Sequence, residues 1–336
     1  MTTRMPTIKD VARLAGVSVA TVSAVINRDS GVRVSKELTE RVENAIKELN
    51  YRPNRIARAL SRRQTQTIAY VVPSVSNAFF AQMAQLIEDR AFAKRYGVYL
   101  CNTHSSVDRV ELYKDIIIEN RVAGVITTLT WDIIENGFIE AIQEENIPII
   151  GLAGARVVAG IDTITFDDVR GAEIATRHLL ERGHQKIGFI GIKNSKTTLQ
   201  RLKGYKKALT EANLAVPEGY IVKGGSFDRE EGYTLAQKLY QKYPEITAIF
   251  VYNDVMAAGV LDGLNDLGLR VPKDIAVVGY DNSVARYTRP KLTTMDLFKE
   301  QMVEAAMDLL FKRIAGEEFA CQHQQILPRL VMGESS

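Results

Sequence analysis

Apolar positions in the first 50 residues recur every three to four places, whereas from residue 67 onward they fall in short unbroken runs separated by longer amphipathic stretches. Thr7 and Asp10 have the spacing of a capping box, in which both side chains satisfy free amides at a helix start. Ile8, Val11, Ala12, Leu14 and Ala15 then supply one apolar helical face. Gly16 ends that helix, since glycine accepts the left-handed turn needed there. Ser18 caps a second helix that buries Val22, Val25 and Ile26, and a third starts at Ser35 and buries Leu38, Val42, Ile46 and Leu49. Thr7 to Ile26 therefore reads as helix, tight glycine turn, helix, the spacing of a helix-turn-helix unit. Pro53 stops the third helix, and Asn54 can cap a short basic helix from Arg55 to about Arg62. Alone in water so short a helix is marginal.

The runs that follow are β-branched: Thr67 to Val72, Val98 to Cys101, Ala123 to Thr127, Ile147 to Leu152, Lys186 to Ile190, Ala248 to Val251 and Ile275 to Val278. A helix from about Ala78 to Arg95 follows the first, and further helices lie between the others. Unbroken apolar strands separated by helices imply parallel sheets covered on both faces. About ten strands are too many for one small sheet, so two similar lobes are expected. The expected fold class is an all-α helix-turn-helix head plus an α/β two-lobed body with two parallel sheets. The expected domains are 1–53 for the head, 54–65 for the linker and 66–336 for the body, with lobes of about 66–165 with 293–325 and 166–292 with 326–336.

In open parallel sheets a ligand sits at the carboxyl ends of the strands. The residues just after the strands include Asn77, Phe79 and Phe80, then Thr128 to Trp131, Asp167 and Asp168, Asn194 to Thr197, Asn253 and Asp254, and Asp281 and Asn282. Carboxylates, amides and aromatic rings in that pattern suit a sugar or a nucleoside, whose hydroxyls pair with the polar groups and whose apolar face stacks on a ring. The competing reading is structural: Asp254, Asp168 and Asp108 equally suit helix caps.

Charge adds a second candidate partner. The net charge is only +3. Residues 1–64 carry 13 Lys and Arg against 6 Asp and Glu, however, while the rest carry 30 against 34. A basic head on an acidic body fits a polyanion-binding module attached to something else. The second helix would enter the DNA major groove, presenting Val19, Ala20, Ser23, Ala24 and Asn27. Thr21, Ser23 and Asn27 can donate to phosphates, and Val19, Ala20 and Ala24 suit thymine methyl groups. The basic junction with Arg55 and Arg58 extends this candidate DNA surface.

Other classes are poorly supplied. No run of about 18 apolar residues calls for a membrane span, and Met1 to Asp10 lacks an apolar signal core, so a cytoplasmic location is expected. Cys101 and Cys321 are too few for a structural zinc site, and the four histidines are scattered. No metal or cofactor is expected. No phosphate-binding glycine loop or nucleophile elbow is present, so an enzyme is not expected. A sugar-transport receptor would explain the body but not the basic head.

The run Thr7-Ile8-Lys9-Asp10-Val11-Ala12-Arg13-Leu14-Ala15-Gly16-Val17-Ser18, continued by Ala20-Thr21-Val22-Ser23, resembles the opening signature of the lactose repressor/galactose repressor (LacI/GalR) family. Leu49-Asn50-Tyr51-Arg52-Pro53-Asn54 and Ala57-Arg58-Ala59-Leu60 resemble that family's junction between head and body, and the resemblance continues along the whole chain. It implies a periplasmic-binding-protein-like body and a homodimer on a pseudo-palindromic double-stranded DNA operator. It also implies a small-molecule effector that shifts operator affinity allosterically, and for some members a phosphorylated carrier protein as co-repressor. The junction becomes a hinge helix pairing with its mate in the minor groove, with a leucine at the place of Leu60 as the wedge between base pairs. Thr7, Ser18, Tyr51, Asn54, Ala57 and Leu60 are added to the candidate DNA surface only by this resemblance. Arg201 falls where the family clamps its ligand and Asp281 where it accepts ligand hydroxyls. Asn253, Asp254 and Phe227 match pocket positions, and Phe79 and Phe80 match a stacking aromatic. Trp131, Asp168 and Thr197 join them from the strand-end reading. Two departures stand out. Ala78 replaces a common proline, and Ala24 follows Thr-Val-Ser where many members carry an arginine that reads guanine, so a family operator does not transfer to this chain. Helix stretches 78–95 and 254–267, with Phe92 and Leu261, are the expected dimer surfaces.

Overall fold

Three short helices build the head in the computed structural model, which describes residues 6–26, 33–52, 65–154 and 157–336. They are α1 (Ile8–Ala15), α2 (Val19–Ile26) and α3 (Lys36–Glu48). The Thr7 amide and hydroxyl both donate to the Asp10 carboxylate, at 2.9 and 2.7 Å, which closes the start of α1. Gly16 takes φ 63° at its end, a left-handed conformation that costs glycine little. Val11, Ala12, Ala15, Val22, Val25, Val42 and Ala45 form the buried centre, with Ile8, Ile26, Ile46, Leu49 and Tyr51 packed around it. Leu14 departs from the expected face and is 46% exposed, because the stripe through positions 8, 11, 12 and 15 leaves position 14 on its flank.

The chain divides into two compact units, 1–65 and 66–336. The second begins with β1 (Thr67–Val72), α4 (Ala78–Ala93), β2 (Gly97–Asn102), α5 (Val107–Glu119), β3 (Gly124–Thr128), α6 (Trp131–Ile134), α7 (Phe138–Glu144), β4 (Ile149–Leu152) and β5 (Asp162–Phe166). Next come α8 (Asp168–Glu181), β6 (Ile187–Ile192), α9 (Lys196–Glu211), β7 (Ile221–Gly224), α10 (Arg229–Lys242), β8 (Ala248–Val251), α11 (Asp254–Asp266) and β9 (Ala276–Val278). Last are β10 (Thr294–Asp296), α12 (Lys299–Ile314), β11 (His323–Ile326) and β12 (Arg329–Val331). Six strands form one parallel sheet in the order β11-β5-β4-β3-β1-β2, and four form a second in the order β7-β6-β8-β9. The chain passes between the sheets near 167, between 281 and 296, and between 326 and 329. The last two passages pair as the antiparallel β10–β12 ladder.

Alternation inside the strands explains why they are apolar throughout. Ile68, Tyr70 and Val72 of β1 face one core cluster, and Ala69 and Val71 face another. In β6, Ile187 and Phe189 join the first of these while Ile190 and Ile192 join a third. Both faces of each sheet are therefore covered, as the runs predicted. β2 differs, with Tyr99 and Leu100 41% and 47% exposed, because it is the edge strand of its sheet.

The strands that periodicity did not single out are the short or polar ones, β5, β7, β10, β11 and β12. In β5 the buried Asp162 accepts from Arg313 at 2.9 and 3.2 Å and from the Gln322 amide at 2.7 Å. This pair ties β5 and the β11 segment to α12. Leu261 is a further correction. It packs into the core beneath the smaller sheet, so it offers no apolar surface, and the neighbouring Asp262 is held by Arg229 at 2.6 Å.

α10 and α11 approach so closely that a Cβ at Gly259 would collide with the Arg229 carbonyl, and one at Gly232 with that of Met256. Gly259→Ala is expected to destabilise the body by about 1–3 kcal/mol through overpacking. Gly97→Ala, which meets nothing nearer than the Gln66 carbonyl at 4.0 Å, is expected to change stability by less than about 1 kcal/mol. Urea unfolding of the two variants makes the comparison.

Candidate functional site

In the head, Ser18 caps the second helix of the pair. Its Oγ accepts from the Thr21 amide at 3.0 Å and lies 2.9 Å from the Thr21 hydroxyl. With Val22 and Val25 turned inward, α2 presents Val19 and Ala20 to solvent and leaves Thr21, Ser23 and Ala24 half-buried. The turn itself is braced from α3, where Arg41 donates to the Ala15 carbonyl at 2.5 Å. Sequence reading missed Arg41, since a basic residue on a polar helix face carries no local signal of a distant carbonyl. Thr7 is engaged at the start of α1, and Tyr51 lies half-buried against the head's core. Asn27, Asn54, Arg55, Ala57, Arg58 and Leu60, and with them the expected hinge helix, lie outside the described residues.

In the body, a cavity of about 360 Å³ opens at the carboxyl ends of the strands of both parallel sheets. Asn77, Phe79, Phe80, Trp131, Asp168, Thr197, Arg201, Phe227, Asn253 and Asp281 all line it. Ten residues spread over about two hundred positions are brought together because most follow the end of a strand or open the helix beyond it, and Arg201 lies in the second turn of such a helix.

Three of the acids expected as helix caps are not caps. An earlier residue takes each cap position: Asp167, just before Asp168, accepts from the Arg170 amide at 2.9 Å; Asn253, just before Asp254, accepts from the Met256 amide at 2.8 Å; and Ser106, two before Asp108, takes the N-cap position of α5. Asp168 is thereby free to pair with Arg201, whose Nε lies 2.8 Å from Asp168 Oδ1 with both side chains buried. The Arg201 guanidinium stacks 3.7 Å from the Tyr280 ring centroid and 4.7 Å from that of Tyr252, and donates to the Tyr252 carbonyl. Burial opposes its charge, but Asp168 outweighs that and holds the Arg201 pKa above its ordinary value.

Aromatic edges form another wall. Phe79 and Phe80 meet edge to face at 5.2 Å, and Phe80 meets Phe227 in the same way at 6.3 Å. Asn253 also donates to the Phe227 carbonyl at 3.2 Å, so its amide fixes the wall. Asn77 is similarly used, accepting from the Phe79 amide at 3.0 Å. Trp131 is 49% exposed at the rim, and an ion pair of 3.2 Å joins Lys196 to Glu135 there. Asp281 is buried, at φ 96°, and burial pushes its pKa up to about 6 against the pull of Ser283, Lys299 and Arg201. Among the described residues no His, Cys, Asp and Glu cluster could hold a metal, and no helix is long and apolar enough to cross a membrane. Sequence reading missed Tyr252, which directly follows β8, and the stacking role of Tyr280. Only packing reveals that both rings face one guanidinium.

A helix-turn-helix head joined to a two-sheet body with a polar cavity at its strand ends defines a DNA-binding regulator that responds to a small molecule. Residues 7–54 match the family of bacterial regulatory proteins, lacI family, and residues 176–336 match the periplasmic binding protein-like domain. The chain is 35% identical over 333 residues to the HTH-type transcriptional repressor PurR of Histophilus somni, covering 98% of this chain and 99% of that one. It is 36% identical over 330 residues to the ribose operon repressor of Escherichia coli, covering 97% and 98%. Among solved structures, the lac repressor dimer bound to operator and the anti-inducer ONPF superposes with a TM-score of 0.86 at 29% identity, over 99% of each chain. The chain belongs to the LacI family of transcriptional regulators.

Arg201→Met should strand Asp168 in the interior and cost about 3–5 kcal/mol. Adding Asp168→Leu removes the orphaned charge and is expected to recover part of that loss. A double-mutant cycle by urea unfolding reads the coupling; additive losses would mean that the two side chains do not depend on each other.

Proposed function

We propose that this chain acts as a homodimeric repressor that binds a two-fold symmetric operator and releases or tightens on it when a sugar-class molecule occupies the cavity. One observation carries the ligand reading: all ten expected residues meet around one cavity. Its guanidinium, Arg201, is already paired with Asp168 within the protein, which suits a neutral, hydroxyl-rich ligand against aromatic edges. The ribose operon repressor and the lac repressor dimer on its operator support the same reading. So do Phe92, 77% exposed on α4, and Tyr99 and Leu100 on the edge strand, which offer an apolar surface for a second copy. Two heads related by a two-fold axis would face two half-sites. The effector couples to DNA by changing how the lobes sit, a coupling of about 1–3 kcal/mol in typical cases.

Site selection from random duplex DNA, repeated in the presence of pentoses, hexoses, disaccharides and nucleosides, tests this. A palindromic site whose affinity falls steeply with salt is expected, together with one ligand class that shifts that affinity. If no sequence is enriched, the regulator reading fails; if a site emerges and no sugar shifts it, only the ligand reading fails. Because Ala24 offers a methyl group and no donors, Ala24→Arg is expected to favour guanine at one position of each half-site by about 1–3 kcal/mol, read by the same selection.

A further inference from the structure

Asp254, the first residue of α11, is fully buried and does not line the cavity, yet it faces the acid that does. Its Oδ2 and the Oδ1 of Asp281 accept from one and the same amide, that of Ser283, at 2.9 and 3.0 Å. The two carboxylates therefore confront each other across a single N–H in the interior. Two like charges so placed disfavour ionising together.

The neighbours decide which acid stays neutral. Asp254 Oδ1 accepts from the Thr294 hydroxyl at 2.6 Å, a neutral donor, and its own amide donates to the Tyr280 carbonyl at 2.9 Å. Among the described residues no Lys, Arg or His forms an ion pair with it. Asp281 is better served. Lys299 at the start of α12 places its Nζ 2.9 Å from the Asp281 carbonyl and 3.2 Å from that of Asn282, and the positive charge of Arg201 on α9, itself paired to Asp168, also favours the ionised form of Asp281. The glycine before Tyr280 makes the arrangement possible, since a Cβ at Gly279 would collide with the Asp254 carboxylate.

We propose that Asp254 is a positioning residue of the ligand site: it stays protonated at neutral pH, and so leaves Asp281 as the charged acceptor that the cavity offers to a ligand hydroxyl. The inference rests on the reading that the cavity is the effector site. The titration directions agree with it. Burial and the Asp281 charge push Asp254 well above the usual carboxylate range, whereas Asp281 is pushed up to about 6 by burial. Above pH 6 a hydroxyl donor meets a carboxylate at Asp281, and below it an acid. The sign for the empty protein is opposite: raised acids weaken the fold as pH rises through the interval from their ordinary value to their folded one.

The test needs no ligand, so it separates this inference from the effector reading. The full chain carrying 13C at the aspartate carboxyls is titrated from pH 4.5 to 8, with Asp254→Asn and Asp281→Asn assigning the two signals. The Asp254 signal is expected to stay at the protonated position at neutral pH, while Asp281 titrates at lower pH. In Asp254→Asn the Asp281 midpoint is expected to stay within about half a pH unit of its position in the unaltered chain, because a neutral acid has been exchanged for a neutral amide. An ionised Asp254 signal at neutral pH would overturn the proposal, as would an Asp281 midpoint that drops by a unit or more in Asp254→Asn. Should Asp254→Asn not fold, the infrared C=O band of a protonated carboxyl at pH 7, absent from Asp254→Leu and retained in Asp281→Asn, gives the same decision.

Discussion

The body's cavity is organised around a buried cation, the Arg201 guanidinium. Arg201 reaches inward from the first turns of α9, and everything near it is arranged to make that affordable: Asp168 at 2.8 Å, the Tyr280 ring at 3.7 Å, the Tyr252 ring at 4.7 Å and the Tyr252 carbonyl. Desolvating an unpaired guanidinium is costly, so these partners are constraints on the fold as well as on the site. Asp168 opens α8 straight after β5, and Tyr280 follows β9. The pair therefore pins the first passage between the sheets to the smaller sheet.

The same constraint shapes the chemistry on offer. With Arg201 satisfied by Asp168, the cavity offers the Asp281 carboxyl together with several oriented donors and acceptors. Aromatic edges from Phe79, Phe80 and Phe227 also line it. Such a surface selects by hydroxyl geometry and shape rather than by net charge, which is how a neutral polyol is told from an anion of similar size. Helix starts contribute throughout, because Asn77, Asn253 and Ser195 are spent on capping α4, α11 and α9 and fix the neighbouring residues in place.

The head follows another logic. Seven buried side chains make its centre, so local devices do much of the specification: the Thr7–Asp10 closure, the left-handed Gly16 and the Ser18 cap. Arg41 adds a long-range tie, bridging α3 to the turn. A helix presented in this way offers small apolar and hydroxyl groups, with Ala24 contributing no hydrogen bond to a base.

The sequence by itself determined the element types, the parallel character of the sheets and the strand-end positions of the site, because each is written in local periodicity and in the residues that follow an apolar run. It also carried the family signature in the head and in the Arg201 and Asp281 motifs. What it could not reveal is pairing at a distance. That Asp168 faces Arg201 rather than capping α8, that Leu261 turns inward, that Asp162 in β5 is neutralised by Arg313, and that Asp254 shares a donor with Asp281 all depend on which surfaces the crossings bring together. Polar strands such as β11 were illegible for the same reason, since their place is fixed by a neighbour's backbone and not by their own apolar pattern. Tertiary structure decided these because a buried charge takes its meaning from its partner, and the partner lies far along the chain.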